Sequence, residues 1–206
     1  MKYFNVIFFF IFFACGNKEA LLLPKSDRTV VKNITDVSPV YVFFRAKGKD
    51  TLAEVNRKNT IISTNWIFNI DKRLPLRIVI PEIIKLQDKK RKEKAHKNEK
   101  AQNYYAYADS IGKNLAFLPF TNHYYKLEKP KSSIVLFFTK HHLIYVDAVL
   151  VKKEALQPYL NNLQEGKKTK IACCFDENMS YGNYIQYQVF LESIQLKQMD
   201  SEEYVF

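Results

Sequence analysis

Apolar and polar positions alternate most clearly in the second half of the chain. Ser133-Ile134-Val135-Leu136-Phe137-Phe138 reads as a strand, Lys140-His141-His142 as a turn and Leu143-Ile144-Tyr145-Val146-Asp147 as a returning strand, so the pair predicts a hairpin. The period then changes: Leu156, Tyr159, Leu160 and Leu163 recur three or four apart, on one face of a helix that begins near Lys152 and that Gly166 ends. Lys170-Ile171-Ala172-Cys173-Cys174-Phe175 predicts a third strand and Asp176 to Tyr181 a turn. The stretch from about Tyr184 to Leu196 predicts a second helix with Ile185, Val189 and Ile194 buried, and Tyr204-Val205-Phe206 a last strand. The order is β-β-α-β-α-β.

The first half is less regular. Pro39-Val40-Tyr41-Val42-Phe43-Phe44 is rich in β-formers and closes at Lys47-Gly48-Lys49-Asp50, a strand and turn. Thr60 to Thr64 and Trp66 to Ile70 read as two strands or one bulged strand, followed by a turn at Asp71-Lys72-Arg73. From Leu76, the spacing of Ile80, Ile83, Ile84 and Gln87 predicts a helix with Pro81 in its first turn, where a missing amide is harmless. Asn103 to Ala108, followed by Ile111-Gly112, predicts another helix with Tyr104 and Tyr107 on one face. Lys129-Pro130-Lys131 marks a boundary. Trp66 to Asp88 lines up with Leu143 to Glu165, Pro81 falling on Pro158, which is either an internal repeat or chance similarity of strand–helix units. The expected fold class is α+β: small mixed sheets with helices packed on one face, a β-β-α-β-α-β unit over 130–206 and a candidate related unit over 39–129.

At the front, Met1-Lys2-Tyr3-Phe4-Asn5 leads into an apolar run, Val6 to Phe13, that ends at Ala14-Cys15-Gly16. This pattern resembles a bacterial lipoprotein signal. The run is shorter than the roughly 20 apolar residues needed to cross a bilayer. The resemblance implies that residues 1–14 are removed and that Cys15 carries the lipid. It also implies a chain anchored in the cell envelope, facing the periplasm or the surface. Residues 15–38 are expected to form a tether.

Composition narrows the partners. Apolar residues at 47% and aromatics at 15% exclude disorder throughout. The net charge of +11, reduced only by Lys2 when the signal leaves, favours anionic partners such as lipid headgroups or acidic cell-wall polymers. Export argues against nucleic acid. Lys85 to Lys100 holds eight Lys/Arg against Asp88, Glu93 and Glu99. Within it, Lys89, Lys90, Arg91 and Lys92 are a candidate landing patch for an acidic polymer or membrane surface, the alternative being a solvated helix extension.

The search for chemistry finds little. Five glycines, none clustered, give no phosphate cradle, and neither GxSxG nor HExxH occurs. Adjacent residues on a strand diverge, so Cys173-Cys174 reads as two buried small side chains and His141-His142 as turn residues. His123 and His96 sit alone in the sequence. Asp147 and Asp176 close strands and are expected to cap turns. No catalytic residue, metal or cofactor is expected. Tyr104, Tyr107, Phe117 and Phe120 are expected in the core; the alternative is an aromatic pocket between the two halves that binds a small molecule.

The second-half order, with Asp176 closing a strand and Met179-Ser180-Tyr181-Gly182 opening a helix, resembles the periplasmic domain of ExbD/TolR proteins. The positions that carry the resemblance are Ile171, Cys173, Phe175, Asp176, Met179, Tyr181, Gly182, Ile185, Val189 and Leu191, with Leu143 to Asp147, Val151 and Leu156 before them. It implies an accessory of an energy-transducing transport or envelope-tethering complex, acting by binding a protein or peptidoglycan. It also implies that Asp176, Tyr181 and Gly182 mark a partner or homodimer surface. Two departures stand out: His141-His142 and Ala148 replace turn glycines, and the apolar run of residues 6–13 has no acid to relay protons. The resemblance is to the family's envelope domain without its motor part.

Overall fold

Strands of the first half follow from one-sided burial. The computed structural model describes residues 20–95, 98–131, 134–164, 170–194 and 199–206. Its first strands are Lys25–Ser26 (β1), Val37–Lys47 (β2) and Asp50–Asn56 (β3). β2 and β3 form a hairpin whose turn holds Gly48 at φ +62, a left-handed conformation that costs a residue with a Cβ about 1–2 kcal/mol. Asn65–Ile70 (β4) alternates buried Trp66, Phe68 and Ile70 with half-buried neighbours, and runs parallel to β2. Leu76–Lys92 (α1) crosses over to Asn103–Asp109 (β5), parallel to β4, and Asn114–Pro119 (β6) returns antiparallel along β5. Because β6 takes one edge of β5, β4 and β1 share the other.

Tyr124–Lys126 (β7) belongs to the second sheet. Ile134–Phe138 (β8) and Ile144–Val146 (β9) make the expected hairpin, and Val149–Val151 (β10) extends it. The β9–β10 turn holds Asp147 at φ 45 and Ala148 at φ 69, the two left-handed residues of a type I′ turn made here without glycine. A 3₁₀ turn over Lys153–Ala155 leads into Leu156–Gln164 (α2), then Ile171–Phe175 (β11), Tyr181–Leu191 (α3) and Met199–Val205 (β12). The strand order is β10-β9-β8-β11-β12-β7, with β11 parallel to both β8 and β12. The chain is therefore α+β, with two mixed six-stranded sheets.

The halves repeat one plan. A hairpin (β2–β3 or β8–β9) feeds a central parallel strand (β4 or β11), then a helix (α1 or α3), then a second parallel strand (β5 or β12). The counterpart of α1 is thus α3. The alignment of Trp66–Asp88 with Leu143–Glu165 is corrected accordingly, because it matched α1 to α2, an insertion replaced in the first half by residues 57–64. One continuous core takes inner-face residues of both sheets together with Ile80 of α1, Leu160 of α2 and Ile185 of α3. A fully buried side chain of this kind contributes about 1.5–3 kcal/mol.

Other expectations also change. The tether over 15–38 ends by Leu22, whose N–H donates to Asp71 and whose carbonyl accepts from Lys72 at 2.8 Å. The strand expected at Thr60–Thr64 is a turn, with Thr60 and Thr64 N–H bonded to Arg57 and Ile61 carbonyls. The helix expected at 103–112 is β5, since parallel β4 and antiparallel β6 satisfy its backbone from both sides. Pro81 lies inside α1 rather than in its first turn, because Pro75 at φ -74 already occupies the N-cap. β7 joins the second sheet from before the boundary expected at 130. The signal, Cys15, His96, Ser133 and Gly166 lie outside the described residues.

Candidate functional site

Each long helix begins on the turn of the other half. Asp71 follows β4, and its Oδ1 accepts from the Arg73 N–H at 3.0 Å; Asp176 follows β11, and its Oδ1 accepts from the Asn178 N–H at 2.8 Å. These are the same Asx turn. A helix leaves its first four N–H groups unsatisfied. Here Leu76 and Arg77 of α1 donate to the carbonyls of Met179 and Glu177, at 2.9 and 2.8 Å, while Tyr181 and Gly182 of α3 donate to those of Leu74 and Lys72, at 2.7 and 3.0 Å. Pro75 and Ser180 pair between them as an isolated antiparallel bridge. A Cβ on Gly182 would stand 3.1 Å from the Lys72 Cβ and 3.3 Å from the Lys72 carbonyl oxygen, so glycine permits the approach. Tyr181 is fully buried, edge-on to Tyr105.

This geometry corrects the expectation of an open partner or dimer surface at Asp176, Tyr181 and Gly182. The structure brings Tyr181 and Gly182 together but turns them inward, because the first half supplies the matching turn. Asp176 stays half-buried and also accepts from the Lys140 N–H at 3.3 Å.

Beside this junction lies a buried polar chain. Glu203 of β12, 2% exposed, accepts from the Tyr184 hydroxyl and from Gln188 Nε2, both at 2.8 Å, and its other oxygen lies 2.5 Å from His123 Nδ1. Tyr184 joins Tyr125 at 3.1 Å and Tyr125 joins Tyr105 at 2.6 Å, carrying the chain into the first sheet. Burial pushes the phenols of Tyr105, Tyr125 and Tyr184 well up, so they remain neutral donors. Burial alone would push the His123 imidazole down, but the Glu203 carboxylate more than reverses this and its pKa is raised. The chain of contacts ties the halves together. Sequence reasoning left His123 isolated and passed over Glu203. The available signal was alternation: Glu203 shares a strand face with buried Val205.

The basic patch divides. Lys90 is buried: its Nζ donates to the carbonyls of Thr64 (2.9 Å) and Gln102 (3.1 Å) and to Asn103 Oδ1 (3.0 Å), and it sits over the Trp66 ring. Burial lowers its pKa to about 8. Arg91 donates to the carbonyls of Thr121 and His123 and stacks on Tyr124. Only Lys89 and Lys92 remain exposed, so four adjacent cations do not make one landing surface; long stems let two of them turn inward.

The proposed aromatic pocket is corrected in the same way. Phe120 stacks on Tyr105 in the core with centroids 3.6 Å apart, and the buried Tyr107 hydroxyl donates to the Arg28 carbonyl while accepting from the Val30 N–H. Tyr104 points to the opposite face of β5, and Phe117 is covered where Val31 pairs with it. Cys173 and Cys174 are buried on opposite faces of β11. Outside the core, the second sheet presents a face without a helix, where Phe137 stacks on Phe206 over buried Ala172 and Cys174. β10 is an edge strand there, with Val149 and Leu150 50% and 59% exposed.

Among the described residues no helix is long and apolar enough to cross a membrane, and no group of three His, Cys, Asp or Glu is placed to hold a metal. Comparison with protein-family models, curated proteins and solved structures finds no match to the chain.

Proposed function

We propose that this chain is an envelope lipoprotein, anchored through Cys15, whose body is a fused pair of ExbD/TolR-like units acting as a non-catalytic docking module. In this reading it is an accessory of an energy-transducing transport or envelope-tethering complex, and it binds a protein partner. The observation that carries the proposal is the reciprocal seating of α1 and α3 on each other's Asx turns. The surface assigned to pairing by resemblance is filled from within the same chain. What remains for a partner is the open edge of β10 and the helix-free face beside it. Unpaired edge N–H and C=O groups accept an incoming strand, and the exposed Val149 and Leu150 add apolar contact.

Three measurements test this. The native protein should begin at an acylated Cys15 in intact mass spectra; an unprocessed Met1 would refute the envelope assignment. Light scattering of the detergent-solubilised chain should give a monomer, since the pairing face is internal. A photocrosslinker at Val149 should trap one specific envelope protein, and adding Leu150→Pro should abolish the adduct while leaving the thermal midpoint within a few degrees. Trapping that survives Leu150→Pro would remove the edge-strand mechanism.

A further inference from the structure

The expected lipid and the folded body are joined by a short leash. Leu22 is already hydrogen-bonded to Asp71 and Lys72, so only residues 16–21 separate it from Cys15, a span of at most about 25 Å at full extension. The body's face around β1 must therefore lie close to the headgroups. That face is cationic. A groove of about 340 Å³ between β1 and α3 is lined by Lys25, Arg28 and Lys153 with Ser110 and Gln186, against the single acid Asp27. The three cations are exposed, and hydrogen bonds cross the groove beneath them. Gln186 Nε2 donates to the Lys25 carbonyl at 3.2 Å, the Ser110 hydroxyl donates to the Ser26 carbonyl at 2.8 Å, and Lys153 Nζ rests 4.5 Å from the Phe190 ring centroid. Next to Ser110 the β5–β6 tip holds out Ile111, 74% exposed, on a turn fixed by Asp109, which accepts from the Ile111 and Gly112 N–H groups at 2.9 and 2.8 Å.

We propose that this groove binds the phosphate of anionic lipid headgroups and that Ile111 enters the interface beside it, so that the body is held in one orientation on its membrane. The inference rests on the lipoprotein assignment of Cys15. An exposed apolar side chain next to a groove lined by three cations suits an anionic bilayer surface, where attraction acts over a Debye length of about 8–10 Å. The acyl group supplies residence. The groove supplies direction, turning β10 and the helix-free sheet face toward a fixed side.

The test uses the full processed chain in phosphatidylcholine vesicles with or without phosphatidylglycerol and with headgroup-spin-labelled lipid. A fluorophore is placed by Ile111→Cys or, at the opposite end of β5, by Lys100→Cys; Cys173 and Cys174 are buried and stay unlabelled. Quenching at 111 but not at 100, dependent on phosphatidylglycerol, is expected, and each of Lys25→Gln, Arg28→Gln and Lys153→Gln should lower the oriented population by about fivefold. Equal quenching at both sites, or quenching indifferent to phosphatidylglycerol, overturns the proposal. Abolition by inorganic phosphate, where chloride at equal ionic strength has no effect, assigns the groove to a free anion and overturns the lipid assignment. Intact mass of the same sample reads the acyl group on Cys15 separately: headgroup-dependent quenching without it supports the groove and removes the anchor.

Discussion

Lys90 in the first half and Glu203 in the second are both buried, and their surroundings differ in kind. In the first, the Lys90 ammonium is surrounded by neutral oxygens and the Trp66 face, so nothing opposes desolvation and its pKa falls to about 8. In the second, Glu203 has His123 beside it and two neutral donors, and the imidazole pKa is raised. A buried ion surrounded by dipoles can shed its proton, while one facing a counter-ion keeps its state. The same fold plan therefore carries two opposite pH responses.

Glu203→Ala should break this comparison most severely. It strands Tyr184, Gln188 and His123 at once, and should lower stability by about 3–5 kcal/mol in urea titration. A loss below 1 kcal/mol, by the same scale, would mean the network carries little. Asp71→Asn follows, at about 1.5–3 kcal/mol, because the buried carboxylate accepts two Arg73 side-chain bonds and the Leu22 and Arg73 amides. Its counterpart Asp176→Asn, with only backbone donors, should cost about 0.5–1.5 kcal/mol. Equal losses would erase the distinction between the two turns.

The pH profile sharpens the contrast. Lys90 titrates near 8 when folded against 10.5 ordinarily, so between these values the unfolded chain binds more protons and stability should rise with pH. After allowance for solvent screening the rise is about 1–2 kcal/mol. His123 has the opposite sign: its pKa is raised from 6.5, so its contribution is complete below 6.5 and is lost as pH climbs through the folded value. Urea midpoints across this range should dip and then recover. Lys90→Met should flatten the alkaline arm and His123→Gln the neutral one; unchanged arms would show that other groups titrate there.

The smallest effects lie at the hairpin turns, where Gly48 and His142 share φ 62. His142→Gly should stabilise by about 0.5–1 kcal/mol and Gly48→Ala destabilise by about 1 kcal/mol, read from thermal midpoints. The same sign for both would contradict equivalent turns.

How far the fold was legible depended on segment length and burial pattern. β8, β11, α2 and α3 were readable because each has a sustained period and a clear stop, and three-residue β9 because a turn ties it to β8. β5 was misread because Tyr104 and Tyr107 lie three apart and Gly112 mimics a helix end, whereas the strand places them on opposite faces. β1 has two residues and β10 three, too few for periodicity, and both exist only because a neighbouring strand pairs with them. The motif from Asp176 to Gly182 was visible in order, but which way it faced was not.

By itself the sequence determined the α+β class, the second-half order, the turn-forming aspartate and the small buried side chains of Cys173 and Cys174, since these follow from local period and residue type. Tertiary structure alone decided that the Tyr181-Gly182 step is sealed by the first half, that Lys90 is interior while Lys89 is not, and that Glu203 meets His123. Those outcomes depend on carbonyls and carboxylates brought together from distant positions, whose attraction is felt only once water has been excluded between them.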